Sequence, residues 1–223
     1  MDEQPNEHPM DLPRPRWSAH EIAVYGGSIE DDLVIAGGYL RVAGIAAEHW
    51  SQHGPDDSLP VPILYNYRHS VELSLKWLIR TAARIIRAEG YDTRGMNLSP
   101  QKVDAKLRQD SHSIKKLAER LNTCLGLITD LQPPENRIDD ESMTTLLWLD
   151  DQDETGETYR YATVGRGASS QPARPHQTNI NFYEEVNRLH HLASLLQGGY
   201  SSHLHEFGQQ LAEYRQAMDD HYG

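Results

Sequence analysis

The chain has 223 residues, and its 33 acidic residues outnumber its 21 basic ones to give a net charge of −12. Its length and its apolar fraction of 38% fit one domain with an insertion. The negative charge excludes a protein that coats duplex DNA generally, because such proteins neutralise phosphates with a basic face. No apolar run approaches the roughly 20 residues that a membrane-spanning helix needs, so we expect no membrane partner.

Two further features of the sequence indicate the cytoplasm. Cys124 is the only cysteine, so it cannot form an internal disulfide, and this fits a reducing compartment. The first residues are acidic and polar instead of basic and then apolar, so they do not form a secretory signal. We therefore expect a cytoplasmic protein in which Cys124 is a small buried residue of a helix.

The N-terminal residues differ in composition from the rest of the chain. Residues 1–27 begin with a proline-rich stretch that lacks helical periodicity, so we expect an extended or partly disordered arm. Residues 28–223 are predicted to form a single helical domain. Its first helix should begin near Ser28, whose hydroxyl can cap it, and should continue to about Trp50.

The strongest predicted helix runs from about Ile63 to Glu89 and ends at Gly90. Its apolar residues recur at spacings of three and four, which places them on one face. That face consists of Leu64, Tyr67, Val71, Leu75, Leu78, Ala82 and Ile85. We expect this helix to be the spine of the fold, packed against a shorter helix predicted over 111–127.

The second half of the chain changes its periodicity. The runs 144–149 and 158–163 are rich in β-branched and aromatic residues, and the polar residues between them can turn, so they predict a β-hairpin insertion around 144–163. Two closing helices are predicted over 181–197 and 200–218, with a hinge at Gly198-Gly199. The sequence therefore predicts a mainly α protein, an antiparallel helical bundle of four to five helices with a small β-hairpin insertion.

Arg68, Glu72 and Lys76 lie at steps of four on the predicted spine, so their side chains share one face and can pair. An exposed row of this kind stabilises a helix by a few tenths of a kcal/mol per pair. The alternative is a binding site, since this row begins on the most apolar helix. His69 lies beside it, and the helix start offers free amides to a phosphate.

The segment Pro62–Lys76, with the sequence PILYNYRHSVELSLK, resembles the core helix of the HEPN (higher eukaryote and prokaryote nucleotide-binding) family. Residues 112–117 resemble the histidine-led helix that follows in such proteins. Residues 158–161 and the closing helices resemble one prokaryotic branch. The resemblance spans roughly residues 33–200, and the order of its pieces is more specific than any one of them.

This resemblance implies a helical bundle, a homodimer, and RNA or a nucleotide as ligand, in a prokaryotic stress, toxin–antitoxin or phage-defence system. It leaves open whether the protein is a metal-independent ribonuclease. The candidate catalytic residues are Arg68, His69 and His112. The candidate binding residues are Glu72, Lys76, Tyr159, Arg160 and Arg166. We expect no metal and no cofactor.

The ribonuclease members of the family carry an arginine followed, after four to six residues, by a histidine. Spacings of this kind from Arg14 to His20 and from Arg215 to His221 are no more than chance predicts, and both lie near the chain ends. The alternative function is therefore a non-catalytic interaction or regulatory module that binds a protein partner through its acidic surface. In that case the row on the spine and His112 form a buried polar network that fixes the packing of the helices.

Overall fold

The computed structural model describes residues 26–27, 30–90, 97–129, 131–165 and 169–222. The chain divides into two units, 1–30 and 31–223, and everything described below belongs to the second. The arm predicted over 1–27 lies outside the described residues, apart from Gly26 and Gly27, and so does the helix start predicted at Ser28.

Within these ranges the chain forms seven α-helices and one two-stranded sheet. The helices are α1 (Asp32–His53), α2 (Pro60–Glu89), α3 (Pro100–Asp110), α4 (Ile114–Leu125), α5 (Asp140–Gln152), α6 (Phe182–Ser194) and α7 (Ser201–Tyr222). The strands are β1 (Thr163–Val164) and β2 (Gln171–Pro172), which pair antiparallel. The mainly α fold with a small β-hairpin, predicted from the sequence, is confirmed.

Helix α2 is the spine of the fold, as predicted. Its 30 residues extend for about 45 Å at 1.5 Å per residue, and it contacts α1, α3, α4, α6 and α7. Every member of the predicted apolar face is buried. Helix α4 packs on it through a second predicted face, formed by Ile114, Leu117, Leu121 and Leu125.

Contacts between helices show their directions. Along α1 the numbering rises where it falls along α2, since Asp31 meets Trp77 and Tyr39 meets His69, so these two helices are antiparallel. Contacts of α3 with α2, of α5 with α4, and of α6 with α5 follow the same rule. Helices α1 to α6 therefore alternate in direction, and α2, α4 and α6 run the same way. Helix α7 continues the direction of α6. The antiparallel bundle is confirmed, with more helices than the four to five predicted.

The predicted position of the β-hairpin is wrong. Residues 144–149 belong to α5, and the two strands lie at 163–164 and 171–172. Asp139 caps α5 by accepting a hydrogen bond from the Ser142 amide at 2.8 Å. The residues that α5 buries are spaced as on a helix: Ser142, Thr145, Leu146, Leu149 and Asp150. Capping and packing of this face therefore outweigh the strand preference of its threonines and tryptophan.

The predicted hinge between the closing helices is also absent from the described residues. A π-helical segment, Leu195–Tyr200, joins α6 to α7 without a break, and it contains Gly198 and Gly199. Leu196 within it is fully buried, so packing against the bundle holds a segment that glycine alone would destabilise. Among the described residues, no helix has the length and apolar character needed to cross a membrane.

Removing the α5 cap tests why this segment is helical. We expect Asp139→Ala to lower the free energy of unfolding by about 1 kcal/mol, because the first-turn amide loses its acceptor. The matched control is Asp140→Ala, an exposed acid in the first turn that caps nothing, which should cost about 0.3 kcal/mol. Urea denaturation followed by circular dichroism measures both values. Equal losses would contradict a role for the cap.

Candidate functional site

Three segments meet beside the middle of α2. The four-residue spacing places Arg68, Glu72 and Lys76 on one helix face, the turn before α4 brings His112 to that face, and the loop after α5 brings Asp153. The predicted proximity of Arg68, Glu72 and His112 is confirmed. We call these five residues the Glu72 cluster.

Arg68 is only 3% exposed, and its guanidinium is used within the protein. Nη1 donates to Glu72 Oε2 at 3.1 Å, and Nη2 donates to the carbonyl oxygens of His112 at 2.6 Å and Asp153 at 2.9 Å. Nε lies 3.1 Å from Asp153 Oδ2 in an ion pair that does not have hydrogen-bond geometry. Arg68 therefore ties α2 to the segments before α4 and after α5, and its guanidinium is not accessible to a ligand phosphate.

Glu72 lies at the centre of the cluster and is 1% exposed. Its carboxylate accepts hydrogen bonds from Arg68, from Lys76 Nζ at 2.6 Å, and from His112 Nδ1 at 2.9 Å. Burial alone would raise the pKa of this carboxyl, but the hydrogen bond and charge of Lys76, with the charges of His112 and Arg68, hold the pKa below its ordinary value. Glu72 is therefore ionised at neutral pH.

His112 is the member of the cluster that reaches solvent, with about a third of its side chain exposed (35%). Ionised Glu72 can only accept hydrogen bonds, so Nδ1 must carry the proton that it shares with Glu72. In the neutral imidazole Nε2 is then the unprotonated nitrogen, with a lone pair available to a substrate. The pairing of a buried carboxylate with a half-buried histidine is the arrangement that orients a general base.

Sequence reasoning missed two aspartates, because the stretch after residue 149 was interpreted as a turn. Asp150 of α5 accepts hydrogen bonds from Ser113 Oγ at 3.2 Å and from the Lys115 amide at 3.0 Å. It therefore caps the N-terminus of a neighbouring helix, α4. Asp153, whose side chain is fully buried, accepts from the Thr158 amide at 2.9 Å. An interpretation of 140–152 as a helix would have placed both aspartates at its C-terminal end. The sequence offers no other signal for them.

A second group of side chains lies along the exposed edge of the cluster. His69 stacks on Tyr65 with ring centroids 5.6 Å apart and meets the Tyr39 ring edge-on at 4.4 Å. Arg160 is exposed, and its Nε donates to Tyr65 Oη at 3.4 Å. Burial lowers the pKa of His69; nearby Glu72 raises it, and the charges of Arg160, Lys76 and His112 lower it further. His69 and Arg160 therefore lie within electrostatic range of the cluster.

The remaining two predicted binding residues do not join this arrangement. Tyr159 packs half-buried against the hydrophobic core, where burial and then the charge of Asp153 raise its pKa. It lines a separate cavity. Arg166 lies outside the described residues. Among the described ranges, no group of three or more histidine, cysteine or acidic side chains is arranged to hold a metal ion.

Comparison of the chain with protein-family models, curated proteins and solved structures found no match. The HEPN resemblance therefore stays a prediction from the sequence.

Neutralising the central carboxylate tests the cluster. Glu72→Gln should lower the free energy of unfolding at pH 7 by about 3 kcal/mol, because it removes one of the two buried counter-charges of Arg68 and the counter-charge of Lys76. The folded pKa of Glu72 lies below its ordinary value of 4.5, so its stabilisation is present above that pH and is lost as the pH falls through the folded pKa. The gap between wild type and variant should therefore narrow below about pH 4.5.

Urea unfolding at a series of pH values measures this gap. The matched control is Glu206→Gln at an exposed position of α7, which should change stability by less than about 0.5 kcal/mol. A Glu72→Gln gap that stayed constant down to pH 3 would show that ionised Glu72 is not the stabilising species.

Gly156 in the loop after α5 packs directly on His112. Its φ of +74° suits glycine, and a Cβ placed there would lie 2.6 Å from His112 Cβ and 3.4 Å from Arg68 Nη1. Gly156→Ala should therefore add a clash, worth about 1–3 kcal/mol, to a backbone strain of about 1–3 kcal/mol. Gly54→Ala is the control, since Gly54 has a φ of +90° and open space around it. Equal destabilisation of the two variants in thermal unfolding would contradict the close packing.

Proposed function

We propose that the protein binds RNA or a nucleotide on the surface formed by Lys76, His112, His69 and Arg160, and that it cleaves RNA without a metal ion. We call these four residues the His112 surface. The observation that carries the proposal is the hydrogen bond of 2.9 Å from His112 Nδ1 to the buried carboxylate of Glu72. It fixes the orientation of an imidazole whose other nitrogen remains available for proton transfer.

The electrostatics of this surface support an anionic ligand in a protein with a net charge of −12. Arg160 is exposed and bonds to the uncharged phenol of Tyr65, so its positive charge remains available to a phosphate. The ammonium group of Lys76 is partly exposed beside it in the electrostatic field of Glu72. The exposure of Arg160 and the enclosure of Arg68 support Arg160 as the residue that contacts the phosphate.

The reaction follows from these roles. His112 Nε2 removes the proton from a ribose 2′-hydroxyl, and the resulting oxygen attacks the adjacent phosphorus while the bond to the 5′-oxygen breaks. His69, in its protonated form, returns a proton to that leaving oxygen. The products are a 2′,3′-cyclic phosphate and a free 5′-hydroxyl. Arg160 and Lys76 stabilise the additional negative charge on the phosphoryl oxygens.

The sequence resemblance supports the same ligand class. It also supports a cytoplasmic role in a prokaryotic stress or phage-defence system, with a homodimer as the functional form. Three exposed apolar residues on one face of α1, Val34, Val42 and Ile45, are suited to such an interface.

A second candidate function is a non-catalytic interaction or regulatory module that binds a protein partner through its acidic surface. The observation that favours it is the enclosure of Arg68 and Asp153 within the fold, since both are at most 3% exposed. In this case the Glu72 cluster stabilises the packing of α2, α4 and α5 and takes no part in chemistry.

Cleavage of end-labelled single-stranded RNA in the presence of a chelator separates the two functions. We expect His112→Ala to slow cleavage by about 10²–10⁴-fold, the usual contribution of a general base. The control is His203→Ala, which removes an exposed histidine of α7 and should leave the rate unchanged. Detection of cyclic phosphate ends identifies the reaction.

Binding is measured on the same RNAs by thermal stability, where a ligand at 100 times its dissociation constant adds about 2.7 kcal/mol. Arg160→Ala should weaken binding and reduce the slope of log affinity against log salt by about 0.7 for the lost phosphate contact. Arg41→Ala, an exposed arginine of α1, is its control. Absence of both cleavage and stabilisation in the wild type would contradict the proposed function and favour the interaction module.

A further inference from the structure

A cavity of about 660 Å³ lies between the ends of several elements, two of which also carry residues that contact the His112 surface. It is lined by the end of α1, the start of α2, the loop after α5 and the segment that precedes α6. Its volume falls in the range of about 300–1,000 Å³ that is usual for small-molecule sites. We call it the aromatic cavity because of the side chains that form its walls.

The walls of the cavity present flat, apolar faces. They include Trp50, Leu64, Tyr159, Phe182 and Tyr183. The rings of Trp50 and Phe182 pack against each other with centroids 4.2 Å apart, which fixes their orientation. Tyr183 is 71% exposed, so one face of its ring is open to a stacking partner. Aromatic faces arranged in this way stack with flat ligands of any sequence or substituent pattern.

The polar groups of the cavity match the edge of such a ligand. Gln152, Gln177 and Asn179 each offer an amide that both donates and accepts hydrogen bonds. Trp50 Nε1 is buried, and it finds no hydrogen-bond acceptor within the described part of the chain. Because this nitrogen is enclosed by protein atoms, the amides are the polar groups that a ligand in the cavity can reach.

The charged side chains that line the cavity are one acid and one arginine, together with His176. Asp57 offsets Arg174, and the Arg174 guanidinium already donates to the carbonyl oxygens of Thr158 and Tyr161. A neutral, planar ligand with hydrogen-bond donors and acceptors along its edge fits these aromatic walls and these charges. A nucleobase has this chemistry.

The cavity adjoins the His112 surface through two pairs of neighbouring residues. On α2, Leu64 lines the cavity, and the next residue, Tyr65, accepts a hydrogen bond from Arg160. In the loop after α5, Tyr159 lines the cavity and the next residue is Arg160. The cavity and the His112 surface therefore share two short stretches of backbone, at 64–65 and at 159–160.

We propose that the aromatic cavity binds a nucleobase, so that the ligand of the His112 surface is recognised through a base as well as through its phosphate. The part about the phosphate rests on the proposed function. The binding of the base does not, because a nucleoside without any phosphate should enter the cavity by itself.

The test is titration of the purified protein with adenosine, guanosine, cytidine and uridine, followed by calorimetry. We expect at least one nucleoside to bind, and Tyr183→Leu to weaken its affinity about tenfold through loss of one stacking face. Tyr183→Phe keeps the ring and should bind like the wild type. Tyr214→Leu is the matched control, because Tyr214 is exposed to a similar extent (63%) on α7 and does not line the cavity.

The outcomes separate this inference from the proposed function. Binding of no nucleoside, or equal affinity in Tyr183→Leu and wild type, overturns the base site even if RNA is still cleaved through His112. Nucleoside binding that depends on the Tyr183 ring supports the base site even if RNA is not cleaved. Tyr183 is exposed, so we expect all three variants to fold, and circular dichroism verifies this.

Discussion

The pairing of buried charges between Arg68, Glu72 and Asp153 is the constraint on which the site depends. A buried charge is strongly unfavourable unless its counter-charge and hydrogen bonds are complete. The guanidinium of Arg68 finds its carbonyl acceptors only when the turn before α4 and the loop after α5 reach α2 at the same place. The electrostatics of one guanidinium therefore fix the relative positions of three segments that are distant in sequence.

This arrangement divides the polar residues of the site into two classes. Arg68 and Glu72 are enclosed, and their charges and hydrogen bonds hold the surrounding groups in place. His112, Lys76 and Arg160 keep access to solvent. Preorganised groups of this kind are what acid–base chemistry on a phosphate diester requires. Buried charges of this kind would also occur in a purely structural network. The solvent accessibility of His112, more than the presence of the charges, therefore distinguishes a ribonuclease from an interaction module.

The loop after α5 belongs to both the Glu72 cluster and the aromatic cavity. Asp153 binds Arg68, Gly156 packs on His112, and Tyr159 forms a wall of the cavity within seven consecutive residues. Its shape is held by the hydrogen bond from the Thr158 amide to the Asp153 carboxylate. One short, hydrogen-bonded segment therefore contributes to both the Glu72 cluster and the wall of the cavity.

The sequence by itself determined the spine and its partner, because the apolar residues of α2 and α4 recur at helical spacing and helix burial follows that spacing. It also placed Arg68, Glu72 and His112 close together. Tertiary structure decided the rest. Residues 144–149 became helical because the Asp139 cap and burial against α4 and α6 outweigh local strand preference. Only the fold could show that Arg68 is enclosed by His112 and Asp153 and that Arg160 contacts Tyr65. These contacts join residues 44 to 95 positions apart, beyond the reach of any local pattern.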